Sequence, residues 1–531
     1  MLPEAEAGSP EFWVARTPDA IAAIKGDKTL TYKDWNDQAN RVADALAAKG
    51  LKPGDRIGMR FRLDFHWFII QRALQKLGVM QVAVNWKLTP DEAEYIVRDS
   101  GARGLACDDA DAGPWADKGF EFLITCGQGE QKSGSGFLKS LFGGDQKQST
   151  SALRVEDLIA EGKPTERFGP TRAAMILYTS GTTGQPKGVP PTSPATVDMA
   201  RLMRYGASVT AAPQMTPNAS VMLALPVHHG AGPAIAGSAC ATGGTCVLLD
   251  PYDPEEALKL IEAHKIEFWT AVPTMLLRIQ SLPEEVINKY DISSIKALST
   301  GAAAVPQSLK EWIVERFGNN VLWERYGCSE AGMLTYTAPE HQLTKPGSSG
   351  LPFDEVDIAI IDENWNRLPA GETGEIAVNT PVVLRNYIGK EVLGEDVIKD
   401  GYYRTGDVGH LDEDGFLFIT DRIKDMIVAG GVNIYPAEIE KAIVAHPDVE
   451  DCAVIGIPHD DFGEKPLAFI VPREGTAPTE RDILDFLDGR LASYKRPREF
   501  EFIASLPISS MGKVLKTELR APYWKDRERK V

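Results

Sequence analysis

The sequence predicts an α/β protein with a large multi-sheet N-terminal domain, residues 1–422, and a small mobile α+β C-terminal domain, residues 423–531. Three observations support this prediction. The chain has 531 residues, more than a single hydrophobic core accommodates. Near the N-terminus, helical and strand patterns alternate as they do in parallel sheets covered by helices. The last part of the chain carries a short helix and strand pattern of its own.

The first elements are predicted from capping and periodicity. Thr31 followed by Asp34 predicts a capped helix start, with apolar residues at helical spacing behind it. Arg56–Phe61 is a strand candidate, followed by an apolar helix at His66–Leu77 and an apolar run at Val79–Val84. This succession is typical of a parallel α/β sheet.

The C-terminal domain has separate helix and strand signals. Pro436 marks a helix start, Cys452–Ile457 is a strand candidate, and Thr479 with Asp482 opens a second helix. By contrast, residues 127–150 are rich in Gly, Ser, Lys and Gln, which predicts an exposed insertion rather than a domain boundary.

Composition excludes several function classes. The net charge is -18, which argues against general nucleic-acid binding, although backbone N–H groups and a lysine can still bind a nucleotide phosphate locally. Six cysteines without a C-x-x-C pair indicate reduced thiols. The N-terminus lacks the pattern of a secretory signal, and no run of about 18 apolar residues occurs. We therefore expect a cytoplasmic protein without a transmembrane segment.

The strongest local signal is YTSGTTGQPKG at Tyr178–Gly188, after the apolar run Ala173–Leu177. Its glycines expose successive backbone N–H groups, its hydroxyls donate to oxyanions and Lys187 adds a positive charge, a combination that suits a polyphosphate. The candidate phosphate-binding residues are Thr179, Ser180, Gly181, Thr182, Thr183, Gly184 and Lys187. The segment is not the P-loop of NTPases, because Pro186 and Gly188 stand where that motif has Gly and Ser or Thr. A polar turn without a ligand is the alternative.

Six further motifs follow along the chain. They are Leu225–Gly232, Gly301–Ala303, Tyr326–Glu330, Tyr403–Asp407, Asp421–Asp425 and Ser510–Lys513. Together with the phosphate loop, their order and spacing from about residue 30 to 520 resemble the adenylate-forming superfamily of acyl- and aryl-CoA synthetases, peptide-synthetase adenylation domains and beetle luciferases.

The resemblance implies a nucleotide site. Tyr326 would stack on adenine, the Ser329 hydroxyl would meet a phosphate, and Glu330 would hold Mg²⁺ between its carboxylate and the phosphates. Asp407, an acceptor-only group, would bind the ribose hydroxyls. Further ATP- or AMP-binding residues implied by the resemblance are Gly301, Ala302, Ala303, Gly327 and Arg422.

The resemblance also implies the groups that act on the acid and the thiol. Lys513 would be the catalytic lysine of adenylation, with Lys516 as the neighbouring candidate. Lys424 would be the hinge between the domains. The implied thiol channel contains Gly430 and Gly431, and the implied acyl pocket contains His229 as its gate with Gly232 and Ala302. A metal site at His228 and His229 is rejected, because adjacent side chains of a strand point to opposite faces.

These features predict an AMP-forming acid–CoA ligase, with Lys513, Glu330 and His229 as catalytic groups and ATP, Mg²⁺ and coenzyme A as cofactor and co-substrates. Small residues at Ala302–Ala304, Gly230 and Gly232 predict a roomy apolar pocket and favour a fatty or aryl-aliphatic acid over acetate. The alternatives are a luciferase-like oxygenase, a stand-alone adenylation enzyme with another acceptor, and a non-catalytic nucleotide-binding module; acid-dependent release of pyrophosphate separates the last from the others. The sequence does not fix the oligomeric state, and a homodimer stays open.

Overall fold

The computed structural model describes residues 5–127, 152–170, 174–179, 186–192, 197–429, 432–459, 461–509 and 513–525. The predicted alternation of helices and strands is confirmed over these ranges. The helices are Pro10–Val14, Tyr32–Ala48, Phe65–Lys76, Pro90–Asp99, Val155–Glu161, Met199–Ala211, Ala231–Ala241, Pro254–His264, Pro273–Gln280, Glu284–Ile287, Gln307–Phe317, Pro436–Val444, Glu480–Leu487 and Lys516–Arg520. In these ranges, no helix is both long and apolar enough to cross a membrane.

A sheet near the N-terminus, parallel except for its last pair of strands, contains the first predicted elements. In spatial order its strands are Leu153–Arg154, Phe122–Cys126, Gly104–Asp108, Arg56–Arg60, Met80–Ala83, Met175–Thr179 and Lys187–Val189. The helix after Thr31 begins as predicted, because the Thr31 hydroxyl accepts from the Asp34 backbone N–H at 3.0 Å. Beyond Gly127, the predicted insertion lies outside the described residues.

The largest sheet holds two of the candidate motifs. Its strands, in spatial order, are Leu351–Pro352, Gly332–Thr337, Leu322–Cys328, Ala297–Gly301, Phe268–Thr270, Ser220–Leu223, Thr245–Leu248, Ile21–Lys25 and Lys28–Thr31. Ala297–Gly301 and Leu322–Cys328 are parallel neighbours, with Gly301 opposite Arg325. Since parallel strands end at the same sheet edge, the segments that follow Gly301 and Tyr326 meet there.

A third sheet brings two more motifs together. Its strands are Asp357–Ile361, Gly374–Asn379, Ile398–Lys399, Tyr402–Leu411 and Leu417–Arg422. The last two form an antiparallel hairpin in which Asp407 lies opposite Arg422. The pairing register therefore places the predicted ribose residues side by side.

The C-terminal part forms a small α+β unit, as predicted. Its strands are Ile427–Ala429, Val432–Ile434, Val449–His459, Gly463–Pro472 and Glu499–Phe502. The predicted capping box is present, since Thr479 and Asp482 each bind the other's backbone N–H. That helix ends at Leu487, yet Leu491 still packs in the unit's own apolar cluster with Ile439 and Ile443. The boundary near residue 423 and the mobility of this unit stay predictions.

Candidate active site

One large cavity, of about 3490 Å³, lies between the large unit and the C-terminal unit. Residues of every candidate motif that falls in the described ranges line it, as do residues of the C-terminal unit such as Lys441 and Lys513. A single space thus brings together side chains that are more than 300 positions apart in the sequence.

Glu330 lies where the phosphate loop leaves its two supporting strands. Met175–Thr179 and Lys187–Val189 pair in antiparallel fashion, with Thr179 opposite Lys187. The Glu330 Oε1 atom accepts from the Thr179 hydroxyl at 3.2 Å and from the Tyr387 hydroxyl at 3.4 Å. The Lys187 ammonium lies 5.3 Å from the centre of the Tyr387 ring. The loop residues Ser180, Gly181, Thr182, Thr183 and Gly184 lie outside the described residues.

This arrangement fits a magnesium ion held against a polyphosphate. Two hydroxyls orient one carboxylate oxygen of Glu330, and carboxylate oxygen is a ligand that Mg²⁺ prefers. Mg²⁺ commonly binds one or two protein carboxylates together with substrate phosphates. The positive Lys187 therefore suits the phosphates of a metal–nucleotide complex, and the negative Glu330 suits its magnesium ion.

Tyr326, Asp407 and Arg422 form what we call the Asp407 cluster. The Tyr326 hydroxyl donates to Asp407 Oδ2 at 2.5 Å, and Arg422 Nε lies 3.0 Å from Asp407 Oδ1. Burial and the neighbouring Asp407 carboxylate raise the pKa of Tyr326 well above its usual range, so the hydroxyl stays a donor. The Thr405 hydroxyl accepts from the Asp407 backbone N–H at 3.1 Å. The carboxylate predicted to bind ribose is thus fixed in place by its neighbours.

The Gly301–Ala303 segment turns sharply into the cavity. A Cβ on Gly301 would lie 2.2 Å from the Arg325 carbonyl oxygen, so the strand pairing requires glycine there. Ala302 has φ +65°, a left-handed conformation that is unfavourable for a residue with a Cβ. Ala302, Ala303 and Ala304 all line the cavity, as the predicted nucleotide and acyl contacts require.

The two adjacent histidines do not point apart, so that expectation was wrong. Residues 227–230 form a turn rather than a strand, and the His228 and His229 ring centres lie 4.6 Å from each other. Burial together with the positive charge of Lys513 lowers the pKa of His229 to about 4. In the described ranges, no group of three or more His, Cys, Asp or Glu side chains is arranged to hold a metal.

Lys513 is carried across the cavity by a hairpin of the C-terminal unit. The Ser509 N–H donates to the Lys513 carbonyl at 2.7 Å, and Ile508 bridges Val514; the tip, residues 510–512, is outside the described ranges. The surrounding protein and the charge of Arg422 lower the pKa of Lys513. Lys513 therefore faces both the Asp407 cluster and His229.

The neighbouring lysine has a structural partner instead. Lys516 lies 2.7 Å from the Glu440 carboxylate. Although burial opposes it, the negative charge of Glu440 raises the pKa of Lys516. Of the two candidate lysines, Lys513 is the one that faces the other candidate site residues.

The predicted hinge lies in a tight turn, Ile423–Asp425, which contains Lys424. Burial and the charge of Arg422 lower the pKa of Lys424. The Asp421 carboxylate, just before this turn, accepts from the Ala437 N–H at 2.8 Å, beyond the turn. This contact joins the two units directly at the start of the helix Pro436–Val444.

Some predicted residues are not among the described residues that line the cavity, and Gly301 is one of them. Gly430 and Gly431 lie outside the described residues. Gly232 is not among the described residues that line the cavity, and a Cβ on it would lie 2.5 Å from the Pro226 carbonyl oxygen. Its lack of a side chain serves a close backbone approach at the start of the helix Ala231–Ala241.

Sequence reasoning missed three residues. Tyr387 donates to the Glu330 carboxylate, and Lys87 and His228 line the cavity. Tyr387 and Lys87 lie in no recognisable motif, so no local pattern marked them. His228 was visible beside His229, but the assumption of a strand hid the direction of its side chain.

Comparison with known proteins identifies the family. Residues 11–388 match the family model described as AMP-binding enzyme, and residues 438–513 match the AMP-binding enzyme C-terminal domain. Similar curated proteins include the fatty acid–acyl-carrier-protein ligase ScoC of Streptomyces coeruleorubidus, 32% identical over 98% of this chain and 96% of the relative. Another is a feruloyl-CoA synthase of an Amycolatopsis species, 31% identical over 96% of both chains.

A similar solved structure is the o-succinylbenzoate coenzyme A synthetase MenE of Bacillus subtilis in complex with ATP and a magnesium ion. Its TM-score is 0.78 at 28% sequence identity, over 96% of this chain and 98% of that one. The sequence-based prediction of an adenylate-forming enzyme is therefore confirmed, and the chain belongs to the AMP-binding enzyme family.

Proposed function

We propose that this protein is an AMP-forming acid–CoA ligase that activates a fatty or aryl-aliphatic carboxylic acid and transfers its acyl group to coenzyme A. The observation that carries the proposal is the convergence of Lys513, Glu330 and the Asp407 cluster on one cavity. The relatives named above act on carboxylic acids, which agrees with this assignment.

The first half-reaction joins the acid to AMP. The acid carboxylate attacks the α-phosphorus of ATP and pyrophosphate leaves, so negative charge grows around that phosphorus. Lys513 supplies a positive charge there, and Lys187 faces the leaving phosphates. Glu330 would hold Mg²⁺ beside the phosphates, where the ion would supply positive charge to offset the growing negative charge.

Nucleotide binding falls to the residues around the Asp407 cluster. Asp407 accepts from the ribose hydroxyls, Arg422 holds the Asp407 carboxylate, and Tyr326 stacks on adenine. Gly301, Ala302 and Ala303 pass their backbone beside the base, and Gly327 and Ser329 lie at the phosphate side.

In the second half-reaction the thiol sulfur attacks the acyl carbonyl carbon, the bond from that carbon to the phosphate oxygen breaks and AMP leaves, while the thiol proton passes to solvent. Lys513 has no further role at the acyl carbonyl, and it occupies the side of the cavity where His229 lies. We therefore propose that the C-terminal unit turns about Lys424, withdraws Lys513 and brings Gly430 and Gly431 to the thiol path. Small side chains at Ala302–Ala304 leave room for a large acyl group.

The test is a two-stage assay on the purified chain with ATP and Mg²⁺. A panel of fatty, cinnamic and polycyclic acids is screened for acid-dependent pyrophosphate release, and coenzyme A is then added and acyl-CoA measured by mass spectrometry. Release without acyl-CoA would assign another acceptor, such as a carrier protein or oxygen. No acid-dependent release with any acid would contradict the proposal. The cytoplasmic location predicted from the sequence remains part of it.

A further inference from the structure

Arg325 is a cation on the cavity wall that the reaction described so far does not use. It lies on the strand Leu322–Cys328, is partly buried and lines the cavity. Successive side chains of a strand point to opposite faces, so Arg325 points away from the face that carries Tyr326. Tyr326 belongs to the Asp407 cluster, which makes a nucleotide an unsuitable partner for the Arg325 guanidinium.

Arg325 has no counter-charge among the described residues. The carboxylate that precedes it, Glu324, lies on the other face of the strand and is paired with Lys310, and both of these side chains are buried. Burial lowers the pKa of Arg325 to about 10, and no described carboxylate opposes that change. At neutral pH the cavity wall therefore carries a positive charge that the described part of the chain does not neutralise.

The contacts that Arg325 makes within the protein leave part of its guanidinium open. Nη2 donates to the backbone carbonyl oxygens of Val209, at 3.3 Å, and of Ala212. These carbonyls lie at the end of the helix Met199–Ala211, so this nitrogen holds the helix in place. A guanidinium has five N–H donors, and Nε has no hydrogen-bond partner in the described ranges. Holding the helix occupies Nη2 alone and leaves Nη1 for a ligand in the cavity.

The wall around Arg325 belongs to the part of the cavity assigned to the acyl group. Arg325 lies opposite Gly301, which has no side chain to cover it, and Ala302–Ala304 continue from there along the cavity. Ser299, two residues before Gly301, adds a buried hydroxyl on the same face of the sheet, and it also lines the cavity. A plain hydrocarbon chain offers no partner to the guanidinium or to the hydroxyl.

We propose that Arg325 binds a second carboxylate on the acid that this enzyme activates. The substrate is then a dicarboxylic acid, of which one carboxyl group is adenylated beside Lys513 and the other is held at Arg325. Arginine suits this role because its planar N–H donors match the two oxygens of a carboxylate. This inference rests on the proposed function and narrows the fatty or aryl-aliphatic acid to one with two carboxyl groups.

The experiment compares acids in matched pairs. Linear and aryl dicarboxylic acids of increasing length are each assayed beside the monocarboxylic acid in which a methyl group replaces the second carboxyl. Acid-dependent pyrophosphate release gives kcat/KM for each acid, and we call the ratio within a pair the diacid preference. With wild type, hydrogen bonds between two charged groups should make this preference roughly 10- to 100-fold for the best diacid.

Arg325→Met removes the charge and keeps a long side chain. Its diacid preference should fall to about twofold or less, mainly through the KM of the diacid, and the kcat/KM of the monoacid should change less. Arg325→Lys keeps the charge without the planar pair of donors, so its preference should lie between those of Arg325→Met and wild type. Calorimetric titration with ATP checks the fold of each variant.

Two further variants make the comparison secure. Arg204→Met removes a guanidinium that pairs with Glu355 at the surface of the same helix, and its diacid preference should equal that of wild type. If Arg325→Met does not fold because the helix has lost its contact with Nη2, Arg325→Lys carries the test. Its preference should then be roughly threefold or more below wild type, and an undiminished preference would overturn the inference.

The remaining outcomes separate this inference from the proposed function. Wild type that forms acyl-CoA from monoacids but prefers none of the diacids would overturn the inference alone. An equal loss with both members of a pair in Arg325→Met would assign Arg325 to the fold, and a change confined to the KM of ATP would assign it to the nucleotide; either result would overturn the inference. No pyrophosphate release with any acid would overturn the inference and the proposed function together.

Discussion

The Asp407 cluster is complete, whereas His228, on the wall of the same cavity, has no hydrogen-bond partner for either ring nitrogen among the described residues. Asp407 is held by Tyr326, on the largest sheet, and by Arg422, on the neighbouring strand of the third sheet. His229, beside His228, is influenced by Lys513, which comes from the C-terminal unit. The contacts that hold the Asp407 cluster together are made within the large unit, whereas the charge next to the histidine pair comes from the C-terminal unit.

This difference indicates which groups are preorganised before any ligand binds. Side chains that already hold each other lose little further freedom when a nucleotide arrives. In the proposed rotation about Lys424, groups on opposite sides of the junction between the two units would change neighbours. The charges next to each group would change as well. Variants of the Asp407 cluster should therefore affect nucleotide binding, whereas variants of groups at the junction should affect the individual chemical steps.

The largest effect is expected from Lys513→Ala. If Lys513 supplies about 3–4 kcal/mol of preorganised charge stabilisation, acid-dependent ATP–pyrophosphate exchange should fall by roughly 10²–10³-fold. ATP should still bind, because the Asp407 cluster is intact. The measurement is isotope exchange, with calorimetry of ATP binding alongside it.

Chemically prepared acyl-adenylate provides the control for Lys513→Ala. Given this intermediate and coenzyme A, the variant should form thioester at a rate far closer to wild type than its exchange rate is. Normal exchange in Lys513→Ala would refute the role of this residue.

Asp407→Asn should weaken nucleotide binding more than Tyr326→Phe does. Hydrogen bonds to a charged group contribute about 1.5–3 kcal/mol, so loss of the Asp407 charge should raise the ATP dissociation constant roughly 10- to 100-fold. Tyr326→Phe keeps the ring for stacking and removes one hydroxyl, and a rise of roughly 5-fold is expected. Calorimetric titration of both variants measures this, and equal effects would show that Asp407 acts only by holding Tyr326.

Lys424→Pro tests the junction itself. Proline fixes φ near -65° and restricts the preceding residue, so the turn Ile423–Asp425 should lose the freedom to rotate. We expect thioester formation to fall about tenfold while adenylation changes less, because only the second half-reaction needs the turn to open. Rapid-quench kinetics resolves the two steps, and equal loss of both would count against two conformations.

Much of the fold follows from local patterns in the sequence. The capping residues Thr31 and Thr479 begin helices where predicted, and the strand predicted at Arg56–Phe61 ends one residue earlier in the structure. Side-chain caps and apolar periodicity act over a few residues, so they are visible in the sequence. The order of strands in the sheets is set by contacts between distant segments, and no local pattern reveals it.

The candidate site likewise contains residues that lie in recognisable motifs and residues that only tertiary packing brings into place. Tyr326, Asp407 and Arg422 were found because each lies in a motif, and the structure brings them into contact. Tyr387 orients Glu330 from a segment without a motif. His228 was assigned to a strand, and the turn that directs it into the cavity depends on tertiary packing rather than on local preference.

The smallest expected effect is a change in how stability depends on pH. An exposed histidine has a pKa of about 6.5, whereas the pKa of His228 is lowered to about 3 by burial and by His229 and Lys87. Between these values the unfolded chain binds a proton at this position and the folded chain does not. Neutral His228 therefore contributes full stability above about pH 6.5, and this contribution is lost as the pH falls toward 3.

His228→Phe should remove that contribution. Each histidine of this kind changes the free energy of unfolding by up to about 1.4 kcal/mol per pH unit, so the thermal midpoint of the variant should fall less steeply from pH 6.5 to 4.5 than that of wild type. His229 keeps part of the dependence in the variant, since its own pKa is about 4. His264→Phe, at the end of the helix Pro254–His264, is the matched control and should follow wild type. Parallel curves for His228→Phe and wild type would mean that His228 finds a hydrogen-bond partner in solution, and the contrast between the Asp407 cluster and His228 would then disappear.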